Sequence, residues 1–235
     1  MTQLSTSTGE RPIEPREEPG GKIDSAGHGA AAGTPAPFAC WSCRGPVAVG
    51  EAFCATCKAV QPPGQLDHFV RLGLTRGFAL DTAEIDRHYF QLQRQLHPDR
   101  FAMRGPRERA LSQQQATSLN AAYETLKDPL ARAGYLLRLS GIEVNAEGCN
   151  TLTDPVLLSE AMELREALAD ATDVASVDVI ARRAQVDIDD CLTELAPAFR
   201  AGDLDRAGRL TTRLRYLTKL AEEARFHRLR RARTI

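Results

Sequence analysis

Two helix-period segments flank a short turn between residues 81 and 128, and this pattern constrains the fold more than any other. Asp81 begins the first segment as an N-cap, and Pro98 ends it because proline lacks an amide proton and restricts the preceding residue. Pro106 begins the second segment, and Asp128 marks its end. The inward stripes comprise Ile85, Tyr89, Leu92 and Leu96, then Ala116, Leu119, Tyr123 and Leu126. The sequence therefore predicts an antiparallel helical hairpin.

The turn of this hairpin carries the tripeptide His97-Pro98-Asp99. Average residue usage produces such a triplet in about one chain of this length in a hundred, so chance explains it poorly between two amphipathic helices. Here the sequence resembles the J-domain family, whose His-Pro-Asp loop docks on a DnaK-type ATPase chaperone. The resemblance implies a chaperone-binding set that comprises His97, Pro98, Asp99, Arg87, Arg94 and Arg100.

Four of the six cysteines form two C-x-x-C pairs, which are Cys40 with Cys43 and Cys54 with Cys57. Each pair favours a tight knuckle, and four thiolates complete the closed tetrahedron of a structural zinc site. Segment 38–61 is too small for a hydrophobic core, so metal binding must supply its folding energy. Redox pairs or disulfides are the alternatives, although neither pair has the βαβ context of a thioredoxin-like motif. Cys149 and Cys191 stand alone, and only Cys191 falls at a predicted core position.

The overall composition argues against nucleic-acid and membrane partners. Thirty basic and 31 acidic residues give a net charge of -1, and no apolar run approaches the roughly twenty residues that span a bilayer. We expect a soluble, intracellular protein with a disordered tail over residues 1–37, which are poor in large apolar side chains. Acidic residues outnumber basic ones in that tail, which favours the bacterial cytoplasm over the mitochondrial matrix.

The segment around the hairpin is predicted to complete a domain over residues 65–140. A short helix that Gly73 closes precedes the hairpin, and a further helix follows it as far as Gly141. The preceding Gln61-Pro-Pro-Gly64 is interpreted as a hinge. Two histidines accompany these helices: His68 is interpreted as a surface or packing residue beside the first helix rather than a metal ligand, and His88 as a solvated residue beside the apolar stripe.

Three more helices are predicted over residues 154–230, beyond a polar linker at 143–153. Asp154, Asp173 and Asp203 are their N-caps, and the short connections imply an antiparallel three-helix bundle. The inner stripes comprise Leu157, Ala161, Leu164 and Leu168, then Val177, Ile180, Ala184, Ile188, Cys191 and Leu195, then Ala207, Leu210, Leu214, Leu217 and Ala221.

The first helix of this bundle carries apolar residues beyond its inner stripe. Leu158 and Met162 lie a quarter-turn or more away from that stripe, beside Glu163, Arg165 and Glu166. Periodicity alone leaves two explanations open, a broad core face or a patch that binds a partner. Tyr216 is similarly off-axis on the third helix.

The order of these parts is similar to the HscB family of J-type co-chaperones of iron-sulphur cluster assembly, from about residue 40 to residue 230. The most specific motifs are Gln93-Arg-Gln-Leu-His-Pro-Asp-Arg-Phe101, Leu119-Asn-Ala-Ala-Tyr-Glu-Thr-Leu126, Pro129, Tyr135-Leu-Leu137 and Glu163-Leu-Arg-Glu166. The resemblance implies that the bundle binds an IscU-type scaffold protein while the loop stimulates the ATPase of an HscA/DnaK-type chaperone. The implied client-binding residues are Leu158, Met162, Glu163, Arg165, Glu166 and Tyr216.

Two departures from the family pattern qualify this resemblance. Ser159 stands where the family usually has another apolar contact. The cysteine element is absent from many bacterial members and typical of mitochondrial ones. A general J-domain protein with another client is the main alternative. A metalloenzyme would need an open ligand position or a nearby base, and the sequence offers neither. We therefore predict a non-enzymatic, all-α protein that adds a zinc element to a J-domain and a bundle, and that could form a homodimer.

Overall fold

The computed structural model describes residues 37–142 and 155–232. Their regular structure comprises seven α-helices, one 3-10 helix and one antiparallel two-stranded sheet of β1 (Phe38–Ala39) and β2 (Pro46–Val47). None of the helices in these two ranges is long and apolar enough to cross a membrane. The seven helices confirm the predicted all-α fold, and the small sheet lies within the four-cysteine element. The predicted tail at 1–37, apart from its last residue, and the linker at 143–153 with Cys149 lie outside the described residues.

The predicted hairpin is present and forms the centre of the J-domain region. Helix α2 (Thr82–Leu96) precedes a 3-10 helix (Pro98–Phe101), and α3 (Pro106–Lys127) and α4 (Pro129–Leu139) follow. Asp81 caps α2 by accepting the amide proton of Ala83 at 3.0 Å. Asp128 accepts two amide protons of the next helix, so the residue that ends α3 also begins α4. These caps explain why the boundaries could be predicted from the sequence.

The short helix α1 (His68–Leu72) packs across the hairpin. Gly73 ends it in the left-handed conformation, at a φ of 67° that favours glycine. His68 stacks on the ring of Tyr135 with 4.3 Å between ring centroids, so of the two interpretations, a surface residue or a packing residue, the structure shows packing. The expected solvation of His88 is wrong, because its Nδ1 lies 2.8 Å from the carbonyl oxygen of Leu72 and binds α2 to the end of α1.

The C-terminal region contains α5 (Pro155–Asp170), α6 (Val174–Ala201) and α7 (Leu204–Ala232). Asp173 and Ser176 form a capping box at the start of α6, and Gly202 ends that helix at a φ of 70°. Helices α6 and α7 contact each other along most of their length, whereas α5 contacts them over a shorter distance. Cys191 is buried in α6, as predicted.

One hydrophobic core extends from the J-domain region into the bundle. It contains Val60, α1 to α4 side chains, and parts of α6 and α7 that include Leu195 and Leu217. Phe78 stacks on Phe199 with 5.6 Å between ring centroids. A second, smaller core around Leu168 lies where α5 packs on the other two helices. The two predicted helical regions therefore share packing that periodicity within each region could not reveal.

The segment interpreted as a hinge is packed rather than loose. The side chain of Gln61 is fully buried and donates to the carbonyl oxygen of Ala59 at 2.8 Å. The carbonyl oxygen of Gln61 accepts a hydrogen bond from the Gln115 side chain of α3 at 2.8 Å. Gln61, which precedes the two prolines, is thus bonded both to the cysteine element and to α3, so the hinge interpretation is wrong.

Candidate functional site

The His-Pro-Asp tripeptide lies exposed at the turn between α2 and α3. His97 Nδ1 accepts the amide proton of Asp99 at 3.3 Å, which makes the imidazole the cap of the 3-10 helix. The Asp99 side chain is 90% exposed and the His97 side chain 47% exposed. Phe101, by contrast, is buried in the shared core and anchors the far end of the turn. The anchored turn presents both polar side chains to solvent.

Two of the three predicted arginines lie next to this turn, and both bond to the backbone. Arg94 Nε donates to the carbonyl oxygen of Phe90 at 3.2 Å, and an Arg100 amino group donates to the carbonyl oxygen of Arg94 at 3.2 Å. Both cations therefore lie at the C-terminal end of α2, where the helix dipole favours positive charge. Arg87 is exposed two turns earlier on the same helix.

Sequence reasoning missed Phe90, which is 49% exposed between these arginines. Its spacing of three from Arg87 and four from Arg94 puts all three residues on one helix face. Its ring also contacts Tyr89 edge to face at 5.2 Å, so the aromatic stack of Tyr89 and Tyr123 extends to the surface. That spacing was the available signal for a mixed aromatic and basic surface.

The four predicted metal ligands meet in one cluster. The ligand sulphur atoms of Cys40, Cys43, Cys54 and Cys57 all lie within 4.8 Å of one another. Two pairs of sulphurs, Cys40 with Cys57 and Cys43 with Cys54, are 3.7 Å apart. Four thiolates at about 2.3 Å from a tetrahedral zinc ion are about 3.8 Å apart, so these distances fit such an ion.

The two cysteine knuckles have the same backbone geometry. Arg44 and Lys58, the residues after each second cysteine, have φ values of 64° and 61°. Their amides donate to the carbonyl oxygens of Cys40 and Cys54 at 3.0 and 2.9 Å. A Cβ on Gly45 would lie 3.1 Å from Thr56 Oγ1 and 3.3 Å from Cys43 Sγ, so a larger residue there would crowd the knuckles.

Hydrogen-bond donors surround the sulphurs as expected for thiolate ligands. The amide of Ser42 and the Gln61 side chain donate to Cys40 Sγ at 3.4 and 3.3 Å. Burial disfavours the Cys40 thiolate, but backbone amides and neighbouring thiols outweigh burial and lower the pKa of Cys40 to about 6. The amide of Gly45 favours the Cys43 thiolate, yet the other thiols and burial raise the pKa of Cys43 to about 11. The donors at Cys40 and Cys43 fit thiolate ligands, and a bound metal ion would offset the unfavourable effect of the neighbouring thiols on Cys43.

The predicted client-binding residues of α5 lie on an exposed face. Met162 is 55% exposed, and Glu163, Arg165 and Glu166 are exposed beside it. This exposure excludes the broad core face as the explanation for Met162. Leu158 belongs to α5, but its side chain is not among those described.

Val156, which sequence reasoning missed, extends this face at its N-terminal end. It is 74% exposed and lies three residues before Ser159 and six before Met162. Ser159, the polar residue that departs from the family pattern, donates to the Glu163 carboxylate of the same face at 3.2 Å. The spacing of three was the signal for Val156.

Tyr216 and Arg213 of α7 hold α5 in place. The Tyr216 hydroxyl donates to the carbonyl oxygen of Ala161, and its ring lies beneath Arg165 at 5.5 Å from the centroid. Arg213 binds both oxygens of Glu160, at 2.6 and 3.1 Å. Tyr216, a predicted client-binding residue, is therefore half-buried between α5 and α7, and its hydroxyl is bonded to the backbone of α5.

Comparison with known families agrees with the geometry of the turn and of the helical region. The DnaJ domain family matches residues 67–135, and the family described as the HSCB C-terminal oligomerisation domain matches residues 153–225. The fold and the exposed His-Pro-Asp turn define a J-domain co-chaperone.

Whole-chain similarity identifies the particular family. The mouse iron-sulfur cluster co-chaperone protein HscB is 36% identical over 84% of this chain and 86% of its own length. A co-chaperone protein HscB homolog of Paraburkholderia phymatum is 39% identical over 66% of this chain and 90% of its own. The crystal structure of human HscB matches with a TM-score of 0.76 at 35% identity, over 80% of this chain and 98% of that chain. The chain belongs to the HscB family of co-chaperones of iron-sulphur cluster assembly, a non-catalytic J-type family.

Proposed function

We propose that this protein brings an IscU-type iron-sulphur scaffold to an HscA/DnaK-type chaperone. The turn that carries His97, Pro98 and Asp99 stimulates ATP hydrolysis by the chaperone, while the exposed face of α5 binds the scaffold. Holding both partners raises the effective concentration of the scaffold near the chaperone and promotes cluster transfer.

The observation that carries the proposal is the exposure of two separate surfaces in one chain. The first is the polar turn with Arg87, Phe90 and Arg94 beside it. The second is the α5 face around Met162, where a flexible apolar side chain is bordered by charges. Arg87 and Arg94 suit an acidic surface on the chaperone.

We propose zinc as the resident metal of the four-cysteine cluster. The four thiols would hold it in a closed site, which suits folding of the element and leaves no position for a reacting molecule. The ion supplies folding energy to this segment when bound. The support is the sulphur geometry and the amide donors around Cys40.

The test is the steady-state ATPase of a purified HscA/DnaK-type chaperone with this protein, an IscU-type scaffold, both or neither. We expect synergistic stimulation that His97→Gln removes, because that side chain caps the turn and is exposed there. Gln95→Ala, at an exposed position two residues earlier, is the control and should stimulate like the wild type.

Each other outcome of this assay has a definite meaning. Stimulation that ignores the scaffold would indicate a J-domain protein with a different client. A full response from the His97→Gln variant would contradict the role of the turn. Sedimentation of the purified chain, alone and with scaffold, measures the homodimer that the sequence also allowed.

For localisation we propose the bacterial cytoplasm, with the mitochondrial matrix as the alternative. The support is the excess of acidic over basic residues in segment 1–37. A fluorescent fusion of the full chain in its native cells would distinguish the two compartments.

A further inference from the structure

The four-cysteine element packs directly on the first turns of α3. Arg107, the second residue of α3, lies over the Trp41 ring at 4.5 Å from its centroid. The Trp41 indole in turn donates to the carbonyl oxygen of Val60 at 2.7 Å. Trp41 follows Cys40 in the first knuckle, so the aromatic contact begins next to a metal ligand.

A second connection runs through two buried glutamines. The Gln61 side chain donates to Cys40 Sγ at 3.3 Å, and the Gln61 carbonyl oxygen accepts from the Gln115 side chain at 2.8 Å. Gln61 is fully buried and Gln115 is 5% exposed. Because leaving a buried polar group without its partner costs free energy, this chain of bonds resists separation of the element from α3.

The same stretch of α3 also holds the end of α2. Ser112 is fully buried, and its hydroxyl donates to the carbonyl oxygen of Leu96 at 2.8 Å. Leu96 is the last residue of α2 and immediately precedes His97. Residues 107–115 therefore contact both the cysteine element and the base of the His-Pro-Asp turn.

We infer that the four-cysteine element positions the His-Pro-Asp turn through α3, with Gln61, Gln115 and Arg107 as the positioning residues. The element depends on its metal for folding, so the start of α3 loses its support when the metal leaves. Ser112 then holds the Leu96 carbonyl less firmly, and the turn samples more conformations. Coupling of this kind is reciprocal in free energy, so a weakened α3 contact also lowers the affinity of the element for its metal.

This inference concerns the turn itself, and its effect on the chaperone rests on the proposed function. The two can be tested separately because the mobility of the turn is measured without any partner protein. Amide hydrogen exchange of residues 96–105 reports that mobility. The full chain is compared after zinc loading and after zinc removal by a chelator.

We expect zinc removal to speed exchange over residues 96–105 by about fivefold in the wild type, the change produced by the loss of one hydrogen bond. Exchange in the part of α6 around Ala184 should stay unchanged. In Gln115→Ala the turn should already exchange fast with zinc bound, and zinc removal should add little. The zinc affinity of this variant, measured at equilibrium by competition with a coloured chelator, should also be several times lower than that of the wild type.

Matched controls separate the coupling from a general effect on α3. Gln114→Ala removes the same side chain from an exposed neighbouring position and should keep the zinc-dependent difference. Arg107→Ala is tested against Arg109→Ala, and both side chains are exposed at the start of α3. Trp41 is the single tryptophan of the chain, so its emission should shift in Arg107→Ala and not in Arg109→Ala. If Gln115→Ala does not fold, the zinc-dependent exchange of residues 96–105 in Arg107→Ala and Arg109→Ala still tests the coupling.

Three results would overturn the inference. The first is equal exchange of the turn with and without zinc in the wild type. The second is an unchanged zinc dependence in both Gln115→Ala and Arg107→Ala. The third is faster exchange throughout α6 and the turn together, which would indicate general destabilisation. An ATPase assay in which even the wild type fails would contradict the proposed function and leave the exchange result standing.

Discussion

The capping carboxylate of Asp67 illustrates how single residues determine the ends of these helices. It accepts the amide proton of Val70 at 2.9 Å and pairs with Arg76 at 2.6 Å. Partial burial would raise the pKa of Asp67, but these two donors outweigh burial and lower it. A lowered folded-state pKa means that the charged form stabilises the protein.

Asp67→Asn should therefore destabilise the protein at neutral pH and much less in acid. Asparagine can still cap the helix, so the substitution isolates the charge. The contribution is present above the ordinary pKa of about 3.9 and is lost as pH falls through the lower folded value. Urea unfolding of both proteins at pH 7 and near pH 3 measures it. A difference between them that grows in acid would contradict this sign.

Cys43→Ser should remove bound zinc from the purified chain, because three thiolates cannot complete the closed tetrahedron. Elemental analysis after dialysis measures the metal content. Cys191→Ala, whose thiol is buried in α6 far along the chain, is the control and should retain zinc. Normal zinc in Cys43→Ser would exclude the four-thiolate site.

At the scale of elements, α5 depends on polar contacts with its neighbours. Arg213 binds Glu160 of α5 and lies 3.8 Å from Asp187 of α6, whose side chain is 9% exposed. Arg183 also binds Asp187, at 3.1 Å. One guanidinium thus joins three helices, and the face that carries Met162 depends on it for position.

Arg213→Met should destabilise the protein by about 1–3 kcal/mol, because it leaves Glu160 unpaired and Asp187 with a single cation. Amide exchange in α5 should rise more than in α6. Arg209→Met removes an exposed arginine from the preceding turn of α7 and should change little. If the two variants unfold at the same urea concentration, Arg213 does not hold α5.

At the scale of the whole molecule, the core crosses the boundary between the J-domain region and the bundle. Phe78 precedes α2, is 6% exposed and stacks on Phe199 of α6, while the Arg132 guanidinium lies 5.1 Å from its ring centroid. The described helices should therefore unfold in one cooperative transition rather than region by region.

Phe78→Ala should lower the free energy of unfolding by about 3–5 kcal/mol, because a large buried ring leaves a cavity between the two regions. Thermal and urea unfolding measure the loss. Phe90→Ala, at the exposed aromatic position, should cost far less. Similar losses in both variants would show that the boundary contact adds no stability.

Short-range information was sufficient for the helices and their ends. Asp81, Asp128, Asp173 and Gly202 act within a few residues of themselves, so local pattern predicted their caps. The short spacing within each C-x-x-C pair likewise restricts where its two sulphurs can lie, and the four sulphurs meet in one cluster as predicted.

The sequence by itself determined the helical elements, the cysteine cluster and the exposed His-Pro-Asp turn, because each depends on neighbours along the chain. Only the tertiary structure decided what joins them. Gln61 was interpreted as part of a hinge and Ser112 and Gln115 carried no signal, yet all three are buried and bonded across elements. Buried polar partners distant in sequence leave no periodic trace, since their positions follow from packing alone.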